Sequence, residues 1–459
     1  MNKLGRYLAA GGLALLAGLA PARAQQPPLV IGGTIVGADN KVIPKGWIVL
    51  ENGKIKSIGD KKPTIKDARV IETDDIVFPG FVDLHNHPFY AVFPRWKAPK
   101  VFANRYEWRG DPAYLTAIQN PEGKLVTSQF CNIVAYVELK ALIGGTTSIL
   151  GVFHPADTPN IEPCIGGLAR NLDWSSGFHG PLGQERIGNV LGVRPGDLRL
   201  SEEAIAQFKQ GKLDLIAVHL AEGQRNDPES QREFARLQDL EMLGSKTAII
   251  HGVALGETEF KKMKEVGASL IWSPRSNFEL YGETADVPTA LRQKVTVALA
   301  PDWSPTGSTN MLAELGYAWQ VSQRDFGGRP NAQQLFEMAT IIPARIAKLD
   351  KKIGSLAPDR AADLFLLHPS KPGRTVYESL ANAAPTDVTL TVVGGLPIYG
   401  TQEHLAALGQ KDSGPADVCG QTRAVGRDAF PDLLAPIVTR LSDALAQENI
   451  KLAPLAECP

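Results

Sequence analysis

Two histidines one residue apart, His85 and His87, close the short apolar run Phe81-Val82-Asp83-Leu84. The run is too short for an independent helix and reads as a buried strand. Side chains alternate along a strand, so both imidazoles point to one side, where together they can hold a metal ion. Pro88 ends the strand and starts a loop. Three further groups of the same chemistry stand at the ends of apolar runs. His219 ends Asp214-Leu215-Ile216-Ala217-Val218-His219, with Glu222 three residues on. His251 ends Lys246-Thr247-Ala248-Ile249-Ile250-His251, and Asp302 follows Leu299-Ala300-Pro301. Imidazoles and carboxylates are the side chains that bind divalent metals and that carry protons near neutral pH. Ordinary loop histidines would account for His85 and His87 alone. Four histidines and an aspartate, each at such an end, point to one shared site.

The elements that must position them alternate in kind from residue 79 onward. Gly145–Leu150, Asp214–His219, Lys246–His251, Ser269–Ser273 and Val295–Ala300 read as strands. Asp227-Pro228 starts a helix with a capping residue and a proline in its first turn, and Gly244 stops it. Glu259 to Val266 is a second helix, closed by Gly267, and residues 332–348 a third. Strands alternating with helices imply a parallel sheet, and this many repeats fit a (β/α)8 TIM-type barrel over residues 79–352. The C-terminal strand ends of such a barrel form one face, where its chemistry is done. Strands three and four are weakly marked within 165–195. Residues 28–78 hold short strands, with a hairpin at Asn52-Gly53. Residues 353–400 return to β character, so the two segments are expected to build one β-sandwich domain from both chain ends. Residues 401–459 form a C-terminal extension that sequence does not place.

The first 24 residues differ in kind. Lys3 and Arg6 precede an apolar run, Leu8 to Leu19, and Ala22-Arg23-Ala24 offers a cleavage site before Gln25. This is the pattern of a secretory signal peptide, too short to span a membrane. The mature protein is therefore expected outside the cytoplasm, periplasmic or secreted, with no membrane attachment after cleavage. Disulfides are permitted there. Of Cys131, Cys164, Cys419 and Cys458, the last two share the extension and are expected to pair; Cys131 and Cys164 could be buried free thiols. The formal net charge of −1 gives no nucleic-acid surface.

The sequence resembles the metal-dependent amidohydrolase superfamily, most closely the branch of cytosine and guanine deaminases and triazine chlorohydrolases. The likeness spans roughly residues 28–400. It rests on Pro79-Gly80-Phe81-Val82-Asp83-Leu84-His85-Asn86-His87, Gly145-Thr146-Thr147, His219-Leu220-Ala221-Glu222, His251-Gly252, Ser273-Pro274-Arg275-Ser276-Asn277 and Asp302. It implies a barrel with a β-sandwich, and one divalent metal per chain, zinc or iron, held by His85, His87, His219 and Asp302. Glu222, His251 and Asp302 would be catalytic. Asp302 would take the proton of water, His251 would orient the nucleophile, and Glu222 would protonate a nitrogen, which needs a raised pKa. Glu222 could instead be a surface carboxylate. Binuclear relatives carry a modified lysine on strand four, and no lysine is so placed here. Ala300-Pro301 replaces the Gly-Thr or Gly-Ser often found before the last ligand.

Residues 88–125 form a long insertion with Phe89, Tyr90, Trp96, Tyr106, Trp108 and Tyr114, and with Arg95, Arg105 and Arg109 among them. These rings could stack a flat substrate or pack the loop on the barrel. Arg275, Asn277, Trp108 and His154 are the substrate-binding candidates, with His179 a further one; Arg275 could equally form a structural ion pair. The expectation is an exported hydrolase of a non-peptide C–N bond in a small, cyclic molecule, with deamination of an amino-heterocycle favoured. An amidase or ring-opening hydrolase would use the same site. A non-catalytic barrel binding a small molecule or protein is the reading from another class. A small-molecule substrate is the expected partner, and a homo-oligomer is compatible with the sequence.

Overall fold

Apolar runs buried along their whole length build the centre of the molecule, as parallel strands covered on both faces require. The computed structural model describes residues 26–151, 167–172, 186–426 and 434–458. The segment expected to be a signal peptide, His154, Cys164 and His179 lie outside these. In chain order the strands are β1 (Leu29–Val36), β2 (Val42–Glu51), β3 (Lys54–Gly59), β4 (Arg69–Pro79), β5 (Phe81–Asp83), β6 (Thr146–Ile149), β7 (Arg170–Asn171), β8 (Ile187–Val190), β9 (Leu215–Leu220), β10 (Thr247–His251), β11 (Ser269–Trp272) and β12 (Thr296–Leu299). Then come β13 (Leu364–Leu367), β14 (Val388–Val393), β15 (Leu396–Gly400), β16 (Ser413–Val418) and β17 (Gln421–Gly426).

β5 to β12 are the barrel strands, paired as β5-β6-β7 and as β8-β9-β10-β11-β12. β7 and β8 fall within 165–195; two residues of β7 are too few to show a period. The first and last strands are laced together beyond their ends. Asn86 bridges Asp302 in parallel fashion. His87 N–H donates to the Asp302 carbonyl at 2.8 Å, and Asp302 N–H to the His85 carbonyl at 3.1 Å. Backbone pairing alone thus places Asp302 beside His85 and His87.

The other strands form one continuous sheet from both chain ends, in the order β16-β17-β15-β14-β13-β4-β1-β2-β3. β4 is an inner member, parallel to β1 and antiparallel to β13. It passes into β5 through Gly80, where a Cβ would stand 2.1 Å from Thr147 Oγ1, so only glycine allows the crossing. A buried fork ties barrel to sheet: Arg170 Nε and Nη2 donate to Asp363 at 2.6 and 3.0 Å. The expected helix over 332–348 is two, Ala332–Ala339 and Ile341–Ile346, broken at Thr340. The break puts Pro343 in a first turn, where its missing N–H costs nothing.

Residues 401–458 are part of the sheet domain and clasp the barrel as well. β16 and β17 extend the sheet, and the helix Leu434–Ala446 packs on the helix Asn120–Ile143. Ala453 N–H then donates to the Val92 carbonyl at 2.9 Å, and Glu457 reaches Arg275 at 2.5 Å and Arg95 at 3.3 Å. Cys419 and Cys458 are disulfide-bonded, as expected from their shared segment. No free thiol stands among the described residues. The bridge closes a loop of 39 residues, so its removal is expected to cost about 4 kcal/mol on a chain-entropy basis. Cys458→Ser should therefore denature at a clearly lower temperature than the oxidised parent; an unchanged midpoint would show that the tail is held without the bridge.

Candidate active site

His85, His87, His219 and Asp302 converge at the C-terminal ends of β5, β9 and β12. The three Nε2 atoms lie 3.1, 3.3 and 3.4 Å apart, and Asp302 Oδ1 is 3.3 Å from that of His85 and 3.5 Å from that of His87. Metal–nitrogen bonds of about 2.0–2.1 Å at near-tetrahedral angles hold donors about 3.4 Å apart. The donor set therefore fits one divalent ion. Without a cation the lone pairs of these rings would face one another in a buried space. Burial, with the neighbouring imidazoles, pushes the pKa of His85 well below its ordinary 6.5. Burial, with Arg105 and the same rings, does so for His219. Burial brings His87 to about 4 although Glu222 opposes it. All three are thus neutral, the form that ligates. His219 Nδ1 lies 3.4 Å from the Val190 carbonyl and His85 Nδ1 3.2 Å from Ser273 Oγ, contacts that orient both rings. Burial, helped by the charge of Glu222, raises the Asp302 pKa well above its ordinary value, a cost that a bound cation would reverse.

His251 and Asp302 both have left-handed backbone, at φ 68° and 67°. That conformation is rare for residues with a Cβ, and such strain concentrates at functional sites. His251 Nε2 is 3.6 Å from Glu222 Oε2, and its Nδ1 is 3.5 Å from Asn277 Nδ2. Burial lowers the His251 pKa, so this ring too is neutral and able to accept a proton.

Glu222 is not the surface carboxylate that was one reading of it; it is 3 % exposed. Tyr281 donates its hydroxyl to Oε1 at 2.6 Å and accepts from Trp108 Nε1 at 2.7 Å. Arg105 Nε lies 3.1 Å from Oε2. The expected rise in its pKa is not found. Burial alone would raise it, but His251, Arg105 and the Tyr281 hydroxyl together outweigh burial and hold it below its ordinary value. Glu222 is therefore ionised at rest.

The substrate-binding candidates divide. Asn277 is fully buried against His251, with its Oδ1 unpartnered. The Arg275 guanidinium is committed to Glu457 of the tail, the structural ion pair that was its alternative. Trp108 is linked to Glu222 by two hydrogen bonds through the Tyr281 hydroxyl and stacks on Trp303 at 5.4 Å. The insertion lies across the strand ends, with Trp96 N–H on the Pro305 carbonyl and Phe102 N–H on that of Leu280. Its rings Phe89, Trp96, Trp108 and Tyr114 are buried, so they pack the insertion onto the barrel. Sequence reading gave no site role to Asp83, Tyr281 or Arg105. Asp83 carried a signal: two residues before His85 on one strand, it shares that side, and its Oδ1 accepts from His85 N–H at 3.0 Å. Tyr281 and Arg105 carried none.

Residues 211–398 match the amidohydrolase family. The chain is 26 % identical over 419 residues, 81 % of its length and 93 % of the other's, to the 5-methylthioadenosine/S-adenosylhomocysteine deaminase of Symbiobacterium thermophilum. A zinc-bound adenosine deaminase from Xanthomonas campestris superposes with a TM-score of 0.69 at 17 % identity, over 93 % of this chain and 99 % of that one. The zinc complex of the atrazine chlorohydrolase from Arthrobacter aurescens superposes with a TM-score of 0.66 at 15 % identity, over 91 % and 100 %. These two likenesses show a shared fold.

Proposed function

We propose that this chain, which belongs to the amidohydrolase family, removes the exocyclic amino group of a small amino-heterocycle by hydrolysis. One divalent metal, zinc or iron, would be held by His85, His87, His219 and Asp302. The observation that carries the reading is the convergence of those four donors within 3.1–3.5 Å of their nearest partners, with Glu222 and His251 alongside. The deaminase relative supports amino-group removal, and β8, Ile187-Gly188-Asn189-Val190, offers no lysine for a second metal.

Bound there, a divalent metal supplies water acidified to a pKa of about 7, a nucleophile at neutral pH. Asp302 would accept one of the two protons of the attacking water and later hand it to the departing amino group. His251 hydrogen-bonds the attacking oxygen and keeps it aimed at the carbon bearing the amino group. Glu222, ionised at rest, would take the other proton of that water by way of His251 and deliver it to the ring nitrogen beside that carbon. The amino group takes the remaining proton and leaves as ammonia, so water and substrate become an oxo-heterocycle and ammonia. Trp108 and Trp303 exclude bulk water. His87, with 27 % of its side chain exposed, stands where the site opens.

Export belongs to the same reading; the N-terminal pattern and the Cys419–Cys458 disulfide support it. The function is tested by incubating metal-loaded protein with aminated pyrimidines, purines, triazines and cyclic amides. The expected result is ammonia and an oxo product from an aminated ring. Ring opening without ammonia would overturn deamination in favour of an amidase. Absence of turnover by a metal-loaded protein that binds these compounds would leave a binding barrel.

A further inference from the structure

Residues 450–458 form neither helix nor strand, yet three of them are pinned. Ala453 N–H donates to the Val92 carbonyl at 2.9 Å, and the Ala453 carbonyl accepts from the Tyr136 hydroxyl at 2.5 Å. Glu457 sets one oxygen on each of two cations, Oε2 at 2.5 Å from Arg275 Nη1 and Oε1 at 3.3 Å from Arg95 Nη1. Cys458 is bonded to Cys419 in the turn between β16 and β17. Each of the first two residues leads to a loop that carries part of the metal site. Val92 closes the turn Pro88–Val92 that follows His87. Arg275 stands two residues after Ser273, whose Oγ meets His85 Nδ1 at 3.2 Å. Arg95 donates Nη1 to the Gly307 carbonyl at 2.6 Å and Nη2 to the Thr306 carbonyl at 3.2 Å. That loop curls back on Asp302: Ser308 N–H donates to the Pro301 carbonyl at 3.2 Å, and a Cβ at Gly307 would stand 2.2 Å from the same oxygen.

We infer that Glu457 is a positioning residue for the metal site, and that residues 450–458 are a strap, locked by the Cys419–Cys458 bond, that holds the loops after β5, β11 and β12 together. The inference rests on the one-metal reading and lies outside residues 28–400, the span of the family likeness. Glu457 is the only ion pair of Arg275 among the described residues, whereas Arg95 has a second in Glu279 at 3.2 Å. The side chains of Glu457, Arg275 and Arg95 are 26, 19 and 32 % exposed, so solvent screens these pairs only in part. Without the carboxylate, two guanidinium groups would face each other across the space it fills, and their repulsion would part the loops that carry them. Donors held in place before an ion arrives need little ordering when it binds, and supporting contacts of this kind set metal affinity. The strap thus acts on the ion through Arg275 and Arg95 and touches no ligand itself.

The test uses the full chain well below its melting temperature and takes two readings: the rate at which loaded zinc passes to a colorimetric chelator, and amide hydrogen exchange over residues 303–309 in the metal-free protein. Glu457→Gln is expected to release zinc about tenfold faster, the lower end of the about 10–100-fold that groups supporting a ligand contribute, and to exchange faster over 303–309. The double variant Cys419→Ser, Cys458→Ser frees the strap while keeping Glu457, and both readings should move the same way. Glu448→Gln removes another carboxylate of the tail, one paired with Lys124 on the helix Asn120–Ile143 and with none of the three loops, and should release zinc as the parent does. Zinc release at the parent's rate in Glu457→Gln, or an equal acceleration in Glu448→Gln, overturns the inference and leaves the tail as packing. A parent that takes up no zinc overturns the one-metal reading instead. Exchange over 303–309 then decides the strap: faster in Glu457→Gln upholds it, and unchanged overturns it too.

Discussion

His87→Ala is expected to strip most of the metal from the protein and to take turnover with it. His87 is one of four converging donors and the only one whose side chain is substantially open to solvent. Truncating it removes a ligand while disturbing packing least. Loss of a group that merely orients a ligand already costs about 10–100-fold in metal affinity, so loss of a ligand is expected to cost more than about 100-fold. Metal analysis of purified protein, beside a thermal melt to show that the fold is kept, measures the effect. A variant with undiminished metal content would remove His87 from the ligand set.

Glu222→Gln is expected to lower kcat by about 10²–10⁴-fold, the usual contribution of a positioned proton carrier, with little change in KM. Glutamine keeps size and polarity and can still accept from the Tyr281 hydroxyl, but it cannot carry a transferable proton. Because Glu222 makes the only ion pair of Arg105 among the described residues, the variant should also melt below the parent: breaking one side of a buried ion pair leaves the other charge without its partner. Metal content is expected to be retained, and its loss would make Glu222 a ligand. A rate within about threefold of the parent, well under the proton-carrier range, would leave the proton to His251.

The barrel was legible where its strands are long enough to show themselves. β9 and β10 are continuous apolar runs, buried at every position, and each ends in or next to a histidine. β7 was not legible, because two residues have no period. The sheet domain was readable through its hairpin at Asn52-Gly53 and the return to β character over residues 353–400. β16 escaped notice because Gly414 and Pro415 lie within it; it survives as the outermost strand, where an absent ladder donor is tolerated.

The same division runs through the site. Its six imidazole and carboxylate groups were readable because each follows a strand whose end fixes its place. The groups that tune them were not, since they arrive from loops that only the folded chain brings near. Arg105 comes from the insertion and Tyr281 from the end of the helix Pro274–Tyr281, and neither position has a motif. Without them, Glu222 was given the raised pKa that its role as proton donor requires, the opposite of what its neighbours impose. Arg275 misled for the converse reason: the tail that neutralises it was the segment sequence could not place.

The most direct measurement is a titration of zinc or ferrous ion into chelator-stripped protein, read as ammonia release from an aminated heterocycle. The expected result is no turnover without metal and a linear rise that breaks at one equivalent per chain. Turnover in the stripped protein, or full metal binding with no ammonia from any aminated ring, would contradict a one-metal deaminase.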